Sequence, residues 1–279
     1  MAVAAATLVA QQAEAVPDWQ KAAGGTASFN EASVRLTKPG KFHPPSFEDW
    51  SSDDFAQDPK GKFFADFPLA IYVAFAYKLH LSGDQRRLMV EGLPDWVKDN
   101  HYTIEAKAPL HATKDQYRLM VQQLLAERFG LKLHFEDKEM RVLAMVLVTP
   151  GKTGPRLIPH ADGPACDAKP GPDVFPPVCY RDEGALLKNG QWMHGSRAIS
   201  MLGIGRFLAS LGVSKEDIGR SVVDQTGLQG LWDFTLLTDV STGPALLEAM
   251  PEQLGIKMEP GKATLSVPVI DHVQEPSVN

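Results

Sequence analysis

Two cysteines, eight histidines and an excess of carboxylates over basic residues make up the chemistry-bearing side chains of this sequence. Cys166 and Cys179 are the whole thiol supply, and both fall between Thr149 and Asn189, a stretch with eight prolines and five glycines. A thiol pair confined to a Pro-rich loop is expected to form a disulfide that staples the loop. Closing a loop of that length is worth about 3 kcal/mol in the chain-entropy account. The alternative is two unrelated free thiols. Zinc is not expected, because two cysteines without a nearby pair of histidines supply too few ligands at the required spacing.

The histidines stand singly, and none has the His-x-x-x-His or His-Glu-x-x-His spacing that sets two ligands on one helix face. Asp271 and His272 are adjacent, but neighbours on a strand point to opposite faces and cannot act as a dyad. No Gly-x-Ser-x-Gly elbow for acyl transfer occurs. Gly151-Lys152-Thr153-Gly154 contains the Gly-Lys-Thr of a phosphate loop, yet Val146 stands where the first glycine belongs, so the stretch reads as a turn. Gly203 and Gly205 lie inside an expected helix, where they fit close packing and not a dinucleotide loop. The residues therefore assign no catalytic group, no metal and no cofactor.

Aromatic side chains are the candidates for recognition. Trp96 and Trp232 flank expected middle strands and read as core, whereas Trp50, in Phe47-Glu48-Asp49-Trp50, reads as a surface contact for binding. An enzyme would have to be a hydrolase whose carboxylates meet at the interface of two modules. That reading requires two carboxylates within about 10 Å, one with a raised pKa.

The elements that must position these residues follow from periodicity and punctuation. Ala27 to Leu36 is an expected strand, and Lys38 to Lys60 a loop rich in Pro, Asp and aromatics. Gly61 to Ala65 is a short strand, after which Pro68 opens a helix through Lys78. Met89 to Leu93 and His101 to Ala106 read as strands, the second with Tyr102, Ile104 and Ala106 alternating against polar neighbours. Thr113 and Gln116 form a capping box for a helix whose apolar face is Tyr117, Met120, Val121, Leu124 and Leu125. Gly130 ends it. Leu131 to Phe135 and Val142 to Val148 are two further strands.

About 125 residues later the pattern returns. Glu127-Arg128-Phe129-Gly130-Leu131-Lys132-Leu133 aligns with Glu252-Gln253-Leu254-Gly255-Ile256-Lys257-Met258, and the same offset carries Val142 onto Val267 and Val148 onto Val273. An internal repeat sets the architecture. Expected strands at Gly190 to Met193, Ser221 to Asp224 and Trp232 to Leu237 join helices at Ile199 to Leu211 and Pro244 to Leu254. Pro251 removes an N–H, so the last helix should kink or break near Leu247. Ile256 to Glu259 and Leu265 to Val273 close the copy.

The expected class is α+β: two tandem β-α-β-β-α-β-β modules, each a small mixed sheet packed by two helices. Residues 1–25 stand apart, 26–148 form the first module, 149–189 the Pro-rich linker and 190–279 the second module. With 44% hydrophobic residues the chain can supply a core for each. A net charge of −6 without a basic stripe argues against nucleic acid. No apolar run approaches the roughly 20 residues that cross a bilayer. Ala2 to Ala10, followed by Ala13-Glu14-Ala15, has the apolar run and A-x-A ending of a secretory signal without its basic start, which points to export. A disordered Ala-rich tail is the alternative.

The chain resembles the soil-bacterial family built on domain of unknown function 3738. The matching stretches are Phe29-Asn-Glu-Ala-Ser-Val34, Ala74-Phe-Ala-Tyr77, Leu93-Pro-Asp-Trp96, Tyr102-Thr-Ile-Glu-Ala-Lys107 and Leu124-Leu-Ala-Glu-Arg-Phe129. Val223-Asp-Gln-Thr-Gly-Leu228, Trp232-Asp-Phe-Thr235, Glu252-Gln-Leu-Gly255 and Val269-Ile-Asp-His-Val273 follow in order. The resemblance implies an exported, periplasmic or otherwise extracytoplasmic protein with no established activity. In some relatives the domain follows a membrane-bound metallopeptidase of the antibiotic-sensor type, which implies a sensory or partner-binding role. Each half is also similar to the short N-terminal module of secretins and TonB-dependent receptors, which docks protein partners; the shared turn is Gly227-Leu-Gln-Gly230. The expected function is thus a non-catalytic binding or sensory domain with a protein partner or ligand in the cell envelope.

Overall fold

The computed structural model describes residues 17–25, 27–37, 57–58, 60–166, 171, 174–177, 179–180, 182–212 and 219–276. The first half forms α1 (Asp18–Ala22), β1 (Glu31–Leu36), β2 (Gln57–Asp58), β3 (Lys62–Pro68), α2 (Leu69–Ala76), α3 (Gly83–Met89), α4 (Asp95–Asp99), β4 (His101–Lys107), β5 (Ala112–Thr113), α5 (Lys114–Phe129) and β6 (Lys132–Leu147). Tyr102, Ile104 and Ala106 are buried on β4 while His101, Glu105 and Lys107 face solvent, the alternation read from the sequence. The capping box of α5 forms as expected, and Gly130 ends the helix in the left-handed region at φ 58°. The helix α4 was not expected, and Met89 to Leu93 departs from the expected strand. Ser82 and Gln85 make a second capping box there, so Met89 ends a helix instead of starting a strand.

In the second half lie β7 (Leu157–Pro159), a 3-10 turn at His160–Asp162, β8 (Asp182–Leu186), β9 (Trp192–Ser200), α6 (Met201–Gly212), β10 (Ser221–Asp224), β11 (Leu231–Thr238), α7 (Pro244–Glu248), α8 (Met250–Leu254) and β12 (Ile256–His272). The expected break before Pro251 occurs at Ala249. Pro251 then stands in the first turn of α8, where no N–H is needed. Two short strands, β7 and β8, lie within the stretch read from sequence as linker.

The architecture is mixed α and β with small sheets, ordered β1-β4-β3, β10-β6-β12, β7-β11-β9-β8 and β2-β5. The central feature is a long ribbon. Where two closing strands per half are expected, each pair is one continuous strand, and β6 runs antiparallel to β12 from Lys132 opposite His272 to Leu147 opposite Ile256. The ends of this ribbon serve different cores. Leu131 and Ile270 join Phe63, Tyr72, Ile104, Tyr117 and Phe129 in the first, while Met145 and Ile256 join Ile204, Leu208, Phe234 and Leu254 in the second. β10 adds to β6 in parallel, so both halves share the central sheet.

The helix α3 bridges the two halves. Gln85 Nε2 donates to Ser266 O at 3.1 Å, Ser221 Oγ donates to Ser82 Oγ at 2.9 Å, and Asp84 N donates to Gly219 O at 2.8 Å. Close approach there depends on glycine, since a Cβ on Gly83 would lie 2.9 Å from Gly219 Cα.

Candidate functional site

The four-stranded sheet of the second half presents polar groups beneath the Pro-rich loop. On β11, Asp233 sits at a register irregularity against β9 and is buried, so its carboxylate must be satisfied from within. Ala198 N donates to Oδ1 at 2.8 Å, from a residue in the left-handed region at φ 55°. His160, in the turn after β7, donates Nδ1–H to the same oxygen at 2.7 Å. Arg197 Nε lies 3.6 Å from Oδ2.

Arg197 is 2% exposed. Its Nη2 donates to Pro164 O, while Nε has no hydrogen-bond partner among the described residues. The cost of burying this charge is offset by Asp233 and Pro164 O, which fix the guanidinium at the cavity wall. Arg156 lies on the same wall and donates from Nη1 to Thr235 Oγ1 at 3.2 Å. Together with Val174, Phe175 and Phe234 they line a cavity of about 490 Å³. Gly195 is required for its roof: a Cβ there would lie 2.9 Å from the Phe175 ring and from Phe234 O. The lining carries two guanidinium groups against one carboxylate and is otherwise largely apolar, which suits an anionic group on an apolar body.

Cys166 and Cys179 are joined in a disulfide, as the cysteine distribution led us to expect. Tyr180 N, one residue on, donates to Arg197 O at 2.8 Å and ties the loop to β9. The sequence did not indicate the third member of this corner. His160 Nε2 lies 3.3 Å from Cys166 Sγ, and among the described residues His160, Cys166 and Cys179 form a group whose ligand atoms lie within 4.8 Å of one another. Asp233, His160 and Cys166 thus stand in the order of a nucleophile triad. The bridge removes the nucleophile, because the thiolate is the reactive species and this sulfur is bonded to Cys179. Histidine six residues before a cysteine was the available signal, and only the hydrogen bond to Asp233 gives it meaning.

The second polar cluster lies on the ribbon. His134 Nδ1 is 2.8 Å from Asp271 Oδ1, and its Nε2 is 3.2 Å from Glu136 Oε1. Hydrogen bonds that the imidazole donates to these two carboxylates raise the pKa of the exposed ring, and the bonds Glu136 accepts from His134 and Lys138 lower its own. Asp271 therefore pairs across the ribbon and not with His272. Alternation puts His134 and Glu136 on one face, but Asp271 is reached only through the register, which sets His134 opposite Val269.

A further cleft, of about 670 Å³, lies between α3 and α6 and is lined by Arg86, Arg206 and Arg220; burial lowers the Arg206 pKa. Residues 213–218 lie outside the described residues. Trp50, the expected surface contact, lies outside them too. Trp96 meets Tyr102 edge-on at 6.3 Å against the first core, and Trp232 is buried in the second with Nε1 donating to Gln229 O. Both act as core residues. No helix among the described residues is long and apolar enough to cross a membrane.

No curated protein and no solved structure matches this chain. Residues 70–273 match the model of a family described as protein of unknown function (DUF3738), and because that span covers most of the sequence the chain belongs to this family.

Proposed function

We propose that this protein is a non-catalytic binding domain of the extracytoplasmic envelope, which holds the anionic end of an apolar ligand, a carboxylate on a small molecule or a protein partner. The observation that carries this reading is the buried Arg197 beside Arg156, two guanidinium groups against the single carboxylate of Asp233, in a cavity whose apolar lining includes Val174, Phe175 and Phe234. Export is supported by the Ala-rich start of the sequence and by the Cys166–Cys179 disulfide, since such bridges persist in oxidising compartments. A carboxylate hydrolase would need an acid held up in pKa; Glu136, which shares His134 with Asp271, is held down instead.

The binding reading includes a duplicated origin and kinship with the short N-terminal module of secretins and TonB-dependent receptors. Support for duplication comes from the ribbon. Glu139 pairs with Thr264, the residue that the repeat offset makes its equivalent, close to the middle of both strands. In each half a strand, β3 or β9, pairs antiparallel with a later one, β4 or β11, with a helix in the connection.

Calorimetric titration with 3-phenylpropionate and with its amide tests the proposal. The acid binds saturably and the amide does not, and Arg156→Gln weakens the acid by about 10-fold or more, the worth of one charge-assisted hydrogen bond. Equal binding of acid and amide, or no binding of either, contradicts it.

A further inference from the structure

Asp233, His160, Cys166 and Cys179 stand in a row at the corner of the bridged loop. Because a carboxylate only accepts, His160 Nδ1 carries the proton that bonds to Asp233 Oδ1 at 2.7 Å. In the neutral ring the lone pair is then on Nε2, which lies 3.3 Å from Cys166 Sγ. A carboxylate that fixes one imidazole nitrogen while the other faces outward is the arrangement that orients a metal-binding histidine. Nε2 and both sulfurs lie within 4.8 Å of one another. Ligand atoms around a tetrahedral zinc stand roughly 3.6–3.8 Å apart, so one ion reaches all three once reduction lets the two bonded sulfurs separate and His160 Nε2 draws toward them.

We propose that reduction of the Cys166–Cys179 bridge turns this corner into a Cys₂His site for Zn²⁺, its fourth position open to water or a ligand from solution. The donors fit the ion, two soft thiolates and an imidazole backed by a carboxylate. An external dithiol supplies the two electrons and two protons: its S–H bonds break and its sulfurs join as a disulfide, while the Cys166–Cys179 bond breaks and each cysteine sulfur takes one proton. Zinc binding then releases both thiol protons to solvent, and the two thiolates balance the charge of the metal. Bridge and metal exclude each other, since a sulfur tied in a disulfide is not a thiolate. Cys166 is exposed and His160 half-buried, so reductant and metal both have access. Asp233 also borders the cavity, but none of the three metal-binding atoms lines it.

The full chain, reduced with a phosphine and freed of it, is titrated anaerobically with Zn²⁺ against a chromogenic chelator, with Co²⁺ as the spectroscopic probe. The reduced protein takes one equivalent and shows sulfur-to-cobalt charge-transfer absorption, whereas the bridge-intact protein takes none. His160→Ala weakens binding at least about 10-fold, and Asp233→Asn by about 10–100-fold. Should either variant lose its fold, read by amide dispersion, Cys166→Ser decides, and it falls to the level of the bridge-intact protein. Failure of the reduced protein to compete for zinc overturns the proposal, as does wild-type affinity in a folded His160→Ala or Cys166→Ser variant.

Discussion

Two histidines give the stability of this protein opposite responses to pH. His134 is raised above the ordinary 6.5 by Asp271 and Glu136, so its contribution is full below that value and is lost as pH rises through the folded pKa. His194 is buried against Trp192 and Phe207, and burial lowers its pKa. Its contribution is present above 6.5 and is lost as pH falls toward the folded pKa. In an NMR titration the His134 midpoint lies above 6.5 and drops in Asp271→Asn; an unchanged midpoint contradicts the ion-pair account. Tyr72 donates its buried hydroxyl to Tyr102 O at 2.7 Å. Tyr72→Phe should cost about 1 kcal/mol in urea unfolding, and a variant as stable as the parent would assign that bond no net value. At this scale the sequence disclosed the cysteine pair, because composition alone isolates it. It did not disclose His134 with Asp271 or His160 with Asp233, because 137 and 73 positions separate those partners and only sheet register joins them.

Helix boundaries were the most legible elements. Caps and left-handed glycines are local chemistry, and the Thr113 box and Gly130 stop were readable directly. Thr113→Ala should lower the unfolding free energy by about 1 kcal/mol, measured by denaturant midpoint at unchanged slope. Of the missed helices, α3 carried the same kind of signal in Ser82 and Gln85, whereas α4 has no side-chain cap to announce it. Gly205 shows close helix packing of the kind its position suggested. A Cβ there would lie 3.0 Å from Met145 Sδ and Val222 Cγ1, on strands β6 and β10. Gly205→Val is therefore expected to destabilise by about 1–3 kcal/mol through overpacking, and a neutral result in thermal unfolding would show that α6 can move off the central sheet.

The whole molecule is joined by its ribbon. Because β6 and β12 each reach both cores, neither half closes its core with its own residues alone. A fragment of residues 17–148 should give a poorly dispersed amide spectrum, and a peptide of residues 256–273 added in trans should restore dispersion; a fragment that folds unaided contradicts the shared-strand account. The repeat predicted a closing pair of strands in each half but not that the strands of one half pair with those of the other, since periodicity specifies a strand and leaves its partner open. The second sheet and the Pro-rich loop hold the cavity in which Arg156 and Arg197, with Asp233, meet Val174, Phe175 and Phe234, and binding of an anionic ligand there is the central claim. Its most direct test is an amide and arginine side-chain NMR titration of the bridge-intact protein with 3-phenylpropionate. The account predicts saturable shifts centred on Arg156, Arg197, Phe175 and Phe234, with the midpoint moved about 10-fold or more to higher ligand in Arg156→Gln; shifts confined to other surfaces, or none at saturating ligand, would contradict it.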